Sequence, residues 1–114
     1  LGWMRASLDY TREENLADAA RLDAMFDALN RMPCAVVGRV HGAALGGGVG
    51  LAACCDIVVA AEGATFGFTE ARLGLLPAVI ARYVLPKVGA GHARALFVSA
   101  RRFAAPHALA IGLA

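Results

Sequence analysis

Charge is scarce in this chain of 114 residues. Asp, Glu, Lys and Arg make up 18% of it and leave a net charge of only +2. Nothing there would hold a polyanion, so nucleic acid is not an expected partner and the charges read as a solvated surface. Aromatics are few (7%) against 59% hydrophobic residues, many of them alanine, which suits close-packed helices and sheets and argues against disorder. The three cysteines, Cys34, Cys54 and Cys55, lack CxxC or any other ligand spacing, and no two histidines share one, so no metal is expected. An odd count with two adjacent residues points to buried free thiols in a reducing compartment. The longest uncharged run, Gly42 to Cys55, is too short and too rich in glycine to span a bilayer. With no basic-then-apolar leader at the start, a soluble cytoplasmic protein is the expectation. Internal repeats, linkers and low-complexity tracts are also missing.

What is present reads as alternating α and β. Thr11 and Glu14 form the T-x-x-E pattern of a capping box, in which hydroxyl and carboxylate each satisfy an exposed N–H. Leu16, Ala19, Leu22, Phe26 and Leu29 follow at steps of three and four, predicting an amphipathic helix that ends before Pro33. Ala35–Val40 and Ile57–Ala61 are nearly all apolar, as expected for strands covered on both faces. A short helix between them makes a βαβ-like unit with parallel pairing. Thr65–Phe68 is a short extended piece. Three helical stretches, Ala78–Leu85, His92–Ser99 and Pro106–Leu113, complete the chain, with Pro106 suited to a first turn.

Two stretches carry chemistry. In VHGAALGGGVGLAACCD, Gly46, Gly47 and Gly48 separate a β-rich run from the helix-compatible Val49–Ala53. Three glycines together imply a bend with positive φ or a backbone that comes close to a ligand. The first N–H groups of the helix lack intrahelical partners and carry the positive end of its dipole, a place for negative charge. The bland reading is a tight turn that lets helix pack on sheet. In ATFGFTEARLGLLP, Glu70 is a lone acid within an apolar stretch. It is either a proton-transfer carboxyl with a raised pKa or a helix-start carboxylate paired with Arg72 or Arg82.

With ALGGG, the Cys55-Asp56 pair, the FGxxE turn and the following LGLLP at this spacing, the chain resembles the enoyl-CoA hydratase/isomerase (crotonase) family over essentially its whole length. The resemblance implies an α/β fold, a spiral of βαβ units with helices outside, of which residues 1–114 would be the central part of a single domain truncated at both ends. It implies an acyl-CoA thioester substrate, no cofactor beyond the coenzyme A that the substrate carries, and a homotrimer or hexamer. Gly47 would supply one of two N–H donors to the thioester oxygen. The family's second donor comes from a loop directly before the position of Leu1, so the 114 residues alone would show little or no activity. Glu70 would be the acid/base group. Gly46, Gly50, Thr69 and Leu73, with Leu1 and Met4 at acyl-pocket positions, would line the substrate.

One position departs from the pattern. Many hydratases of the family carry a second glutamate three residues after the middle glycine, where this chain has Gly50. A single carboxylate suits an enoyl-CoA isomerase, which shuttles one proton between carbons. Yet the runs YTREENLADA and FGFTEARLGLLPAVIARYV resemble methylglutaconyl-CoA and carboxygeranoyl-CoA hydratases, which often have glycine there. Their substrates bear a second carboxylate, for which Arg72 or Arg82 is the candidate partner. Hydratase is the expected activity; an isomerase, another reaction of the family such as thioester hydrolysis or decarboxylation, and a non-catalytic acyl-CoA-binding module are the alternatives. His41 reads as a turn residue and His92 and His107 as surface or cap positions. Arg94, Arg101 and Arg102 form either a solvated basic face or contacts to coenzyme A phosphates.

Overall fold

The computed structural model describes residues 9–114. Helix α1 (Arg12–Asn30) starts as expected: Thr11 Oγ1 accepts from Glu14 N–H (3.2 Å) and Glu14 Oε2 accepts from Thr11 N–H (2.7 Å), closing the capping box. Its apolar stripe packs through Leu22, Phe26 and Leu29, with Phe26 fully buried, whereas Leu16 is 57% exposed and lies beyond the contact.

Next come β1 (Val37–Val40) and β2 (Ala43–Leu45), then helix α2 (Gly47–Ala53), β3 (Ile57–Ala60) and β4 (Thr65–Gly67). β1 pairs in parallel with β3, from Val37 opposite Ile57 to Val40 opposite Ala60. β2 pairs in parallel with β4, from Ala43 opposite Thr65 to Leu45 opposite Gly67. The chain therefore turns a corner twice, at His41–Gly42 and at residues 61–64, and each winding gives one strand to each of two sheets. Backbone bonds from Ala61 N–H to Val40 O (2.9 Å) and from Thr65 N–H to Gly42 O (2.8 Å) lock one corner onto the other. This is the spiral of βαβ units. The second sheet gains β5 (Arg102–Ala104), antiparallel to β4 and not expected from sequence. The three residues pair because Phe103 stacks on Phe66 with ring centroids 5.8 Å apart.

Two expectations need correction. β1 and β3 are not covered on both faces: Val37, Ile57 and Val59 are exposed, and only Val40 and Ala60 pack on the core. The outward residues of the two strands stand side by side in register, and no described element lies over them. Cys34 is exposed, while Cys54 and Cys55 are buried, all three as free thiols. Burial first, and then its neighbour Cys55, push the Cys54 thiol up to about 11, so it stays protonated at neutral pH.

A short 3-10 turn (Glu70–Leu73) leads to α3 (Ala78–Ser99), which leaves helical geometry at Gly89 (φ 78°, ψ 156°). The two helical stretches expected here are thus present, but the first runs through Pro86 to the kink. α4 (Ala105–Ala110) opens with Pro106 in its first turn. The core gathers Phe66, Phe68, Val84, Leu96 and Leu113 between the second sheet and α3. Among the described residues, no helix is long and apolar enough to cross a membrane.

Candidate active site

The glycine run does two separate things. Gly46 (φ 53°, ψ −118°) turns the chain from β2 into α2, a conformation that a side chain would oppose. Its N–H donates to Gly67 O (2.8 Å), and its carbonyl accepts from the N–H groups of Val49 (2.9 Å) and Gly50 (3.2 Å). Among the described residues the Gly47 N–H has no acceptor. Gly50 answers a different need. A Cβ there would stand 2.5 Å from Ile80 Cγ2 and 3.0 Å from the Phe26 ring, so α2 lies against α1 and α3 only because that position is bare.

Glu70 follows Thr69 at the end of the β4 segment and is 5% exposed. Among the described residues its Oε2 has no hydrogen-bond partner, nor does the buried Thr69 Oγ1. Burial raises the Glu70 carboxyl above its ordinary range, partly offset by its own backbone N–H. Neither Arg72 nor Arg82 neutralises it. Arg82 is engaged by Asp23 (2.9 Å) and Asp27 (3.4 Å) on α1, and Arg72 Nε donates to Ala100 O (3.2 Å). The reading of Glu70 as a carboxylate paired with Arg72 or Arg82 therefore fails.

Gly47 and Glu70 line one cavity of about 350 Å³. Its walls are apolar: Leu22, Met25 and Phe26 from α1, Leu51 from α2, and the Leu75–Ile80 segment. Among the described residues Glu70 is its only charged group, and neither Arg72 nor Arg82 reaches it. Of the other residues singled out from sequence, Gly46, Gly50, Thr69 and Leu73 sit beside or behind this wall rather than on it. Leu1 and Met4 lie outside the described residues. Sequence reasoning missed the contribution of α1. Leu22 and Phe26 were visible as core stripe, but nothing in the spacing says that the core edge opens onto Glu70. Arg94, Arg101 and Arg102 are exposed, His41 is at the corner, and His107 packs edge-on against Phe103 (5.3 Å). No group of three or more His, Cys, Asp and Glu converges among the described residues.

The structure is thus an α/β protein, a βαβ spiral in which Gly47 and the buried Glu70 line one apolar cavity. The chain belongs to the enoyl-CoA hydratase/isomerase family, whose model matches residues 8–114. It is 40% identical over 81 residues to the enoyl-CoA hydratase AKT6-1 of Alternaria alternata, covering 71% of this chain and 27% of that protein. It is 34% identical over 106 residues to the mitochondrial methylglutaconyl-CoA hydratase 1 of Pyricularia oryzae, covering 92% of this chain and 30% of that one. The crystal structure of an enoyl-CoA hydratase from Shewanella pealeana superposes with a TM-score of 0.95 at 41% identity, over 98% of this chain and 42% of that one. The chain thus spans less than half the length of these relatives.

Proposed function

We propose that this chain forms the catalytic centre of an enoyl-CoA hydratase, adding water to an α,β-unsaturated acyl-CoA. The observation that carries the reading is the shared cavity of Gly47 and Glu70, one offering an unpaired donor and the other an unpaired, desolvated acid. When the oxygen of water attacks the β-carbon, the electron pair of the double bond moves towards the thioester oxygen. A Gly47 N–H aimed at that oxygen steadies the enolate, a kind of donor worth about 3 kcal/mol of barrier. Glu70 takes the proton that water loses and returns it to the α-carbon. Its raised pKa suits both halves of that exchange.

Gly50 favours a second reading. The position at which relatives carry another carboxylate is filled from outside by Phe26 and Ile80. A lone Glu70 serves an isomerase equally well, taking a proton from the α-carbon of a 3-enoyl thioester and delivering it to the γ-carbon. Incubating a full-length protein that contains these residues with a 2-enoyl-CoA and with a 3-enoyl-CoA separates the two. Hydration of the first supports the hydratase, migration of the double bond in the second the isomerase, and binding without either leaves only a ligand-holding module. The relatives' partial coverage makes two companion proposals. The 114 residues alone turn over slowly or not at all, and the working unit is a homotrimer or hexamer, for which the exposed Val98 (83%) and Leu109 (69%) offer apolar contact. Sedimentation of the purified protein as a monomer would end the second.

The likeness to a methylglutaconyl-CoA hydratase raises a dicarboxylic substrate. A second carboxylate buried in this cavity would need a cation, and the described lining supplies none.

A further inference from the structure

Two cavities lie on either side of one aromatic contact. The first is the apolar one holding Glu70, with Phe26 in its wall. The second, about 280 Å³, is lined by Asn30, Ala53, Arg82, Tyr83, Pro86 and Lys87 and contains two cations. Phe26 and Tyr83 meet between them, with ring centroids 5.6 Å apart.

Each ring is held. Phe26 is fully buried and abuts Gly50, where even a methyl group would be only 3.0 Å away. The Tyr83 hydroxyl donates to Asp23 Oδ1 (2.9 Å), and the Arg82 guanidinium lies 5.0 Å from the Tyr83 ring centroid. On the far side, the Lys87 ammonium donates to Cys55 O and has no carboxylate partner among the described residues. A cation suited to a second carboxylate therefore exists close to the acyl cavity, on the wrong side of a fixed wall.

We propose that the Phe26–Tyr83 pair determines acyl specificity at this site, closing the apolar cavity off from Arg82 and Lys87 and so confining it to acyl groups without a terminal charge. The inference rests on the acyl-CoA reading above. An uncharged chain replaces water against Leu22, Met25 and Phe26 at no electrostatic cost. A terminal carboxylate would lose its hydration there and, among the described residues, meet only the charge of Glu70. Opening the wall at Phe26 gives such a carboxylate a route towards Lys87.

The test is calorimetric binding of two saturated thioesters that cannot be hydrated, butyryl-CoA and glutaryl-CoA, to the purified protein. The wild type should bind butyryl-CoA about tenfold or more tightly than glutaryl-CoA, as expected when a charge is buried without a partner. Phe26→Ala should cut that ratio severalfold by strengthening glutaryl-CoA. Phe26→Leu, which keeps most of the packing, should move it in the same direction if the alanine variant does not fold. Equal affinities, a preference for glutaryl-CoA in the wild type, or an unchanged ratio in a folded variant would each overturn the proposal. If neither thioester binds, both this inference and the acyl-CoA reading fall. If the expected order appears but no 2-enoyl or 3-enoyl thioester is turned over by the full-length protein, the wall stands and only the catalytic reading fails.

Discussion

Carboxylates occur in two contrasting settings around α3. Near Tyr83, Asp23 and Asp27 share Arg82, with Asp27 also paired to Arg31 (2.9 Å) and Asp23 accepting from the Tyr83 hydroxyl. These acids are part-exposed, matched in charge and close to solvent. Glu70 is more deeply buried and has none of these partners. A carboxylate kept for structure gathers cations, because that lowers its cost. Under the proposed function Glu70 is left desolvated, because a paired carboxylate would be too weak a base at the moment of reaction.

The contrast is most easily broken through turnover. Glu70→Gln keeps the shape and removes the proton carrier, so the rate on the true acyl-CoA should fall by about 10² to 10⁴. Asp23→Asn should leave the rate per folded molecule unchanged. Steady-state kinetics of a full-length protein carrying each variant, side by side, checks both.

Packing comes next. Gly50→Ala forces a methyl group against Ile80 and Phe26, and overpacking of this kind costs about 1–3 kcal/mol, readable from urea unfolding. Tyr83→Phe should cost less, about 0.5–1.5 kcal/mol, by deleting the bond to Asp23. Arg82→Ala should be smallest, about 0–1 kcal/mol and weaker still at high salt, because the guanidinium side chain is 54% exposed.

pH sharpens the comparison further. The folded-state pKa of Glu70 is raised above its ordinary 4.5. Between those values the native state binds more protons than the unfolded chain, so this group's contribution to stability falls as pH rises. The penalty is absent below about 4.5 and complete above the folded pKa. Glu70→Gln should therefore be more stable than wild type at pH 8, with the difference vanishing towards pH 4, as thermal melts across that range would show.

Much of this was legible from residue order. The capping box at Thr11 and Glu14, the stop before Pro33, the glycine turn into α2 and the parallel β1–β3 pairing all depend on local backbone chemistry or on period. Gly47 and Glu70 could be named because a glycine run and an isolated acid are conspicuous in sequence. β5 could not, since its three residues are ordered by Phe66 rather than by any propensity of their own. The exposure of Val37, Ile57 and Val59 was equally hidden: apolar strands look alike whether one face is covered or two.

What the sequence alone determined, then, is the set of candidate groups for the proposed chemistry and the elements that carry them, because capping, turning and amphipathic spacing act over a few residues. Which acid would be left without a partner was decided in three dimensions. Arg82 turned to Asp23 and Arg72 to Ala100, Phe26 and Ile80 closed over Gly50, and the free Gly47 amide came to share a cavity with Glu70. The physical reason is that pairing and desolvation depend on what stands within a few ångströms, and that is set by the packing of helices far apart in the chain.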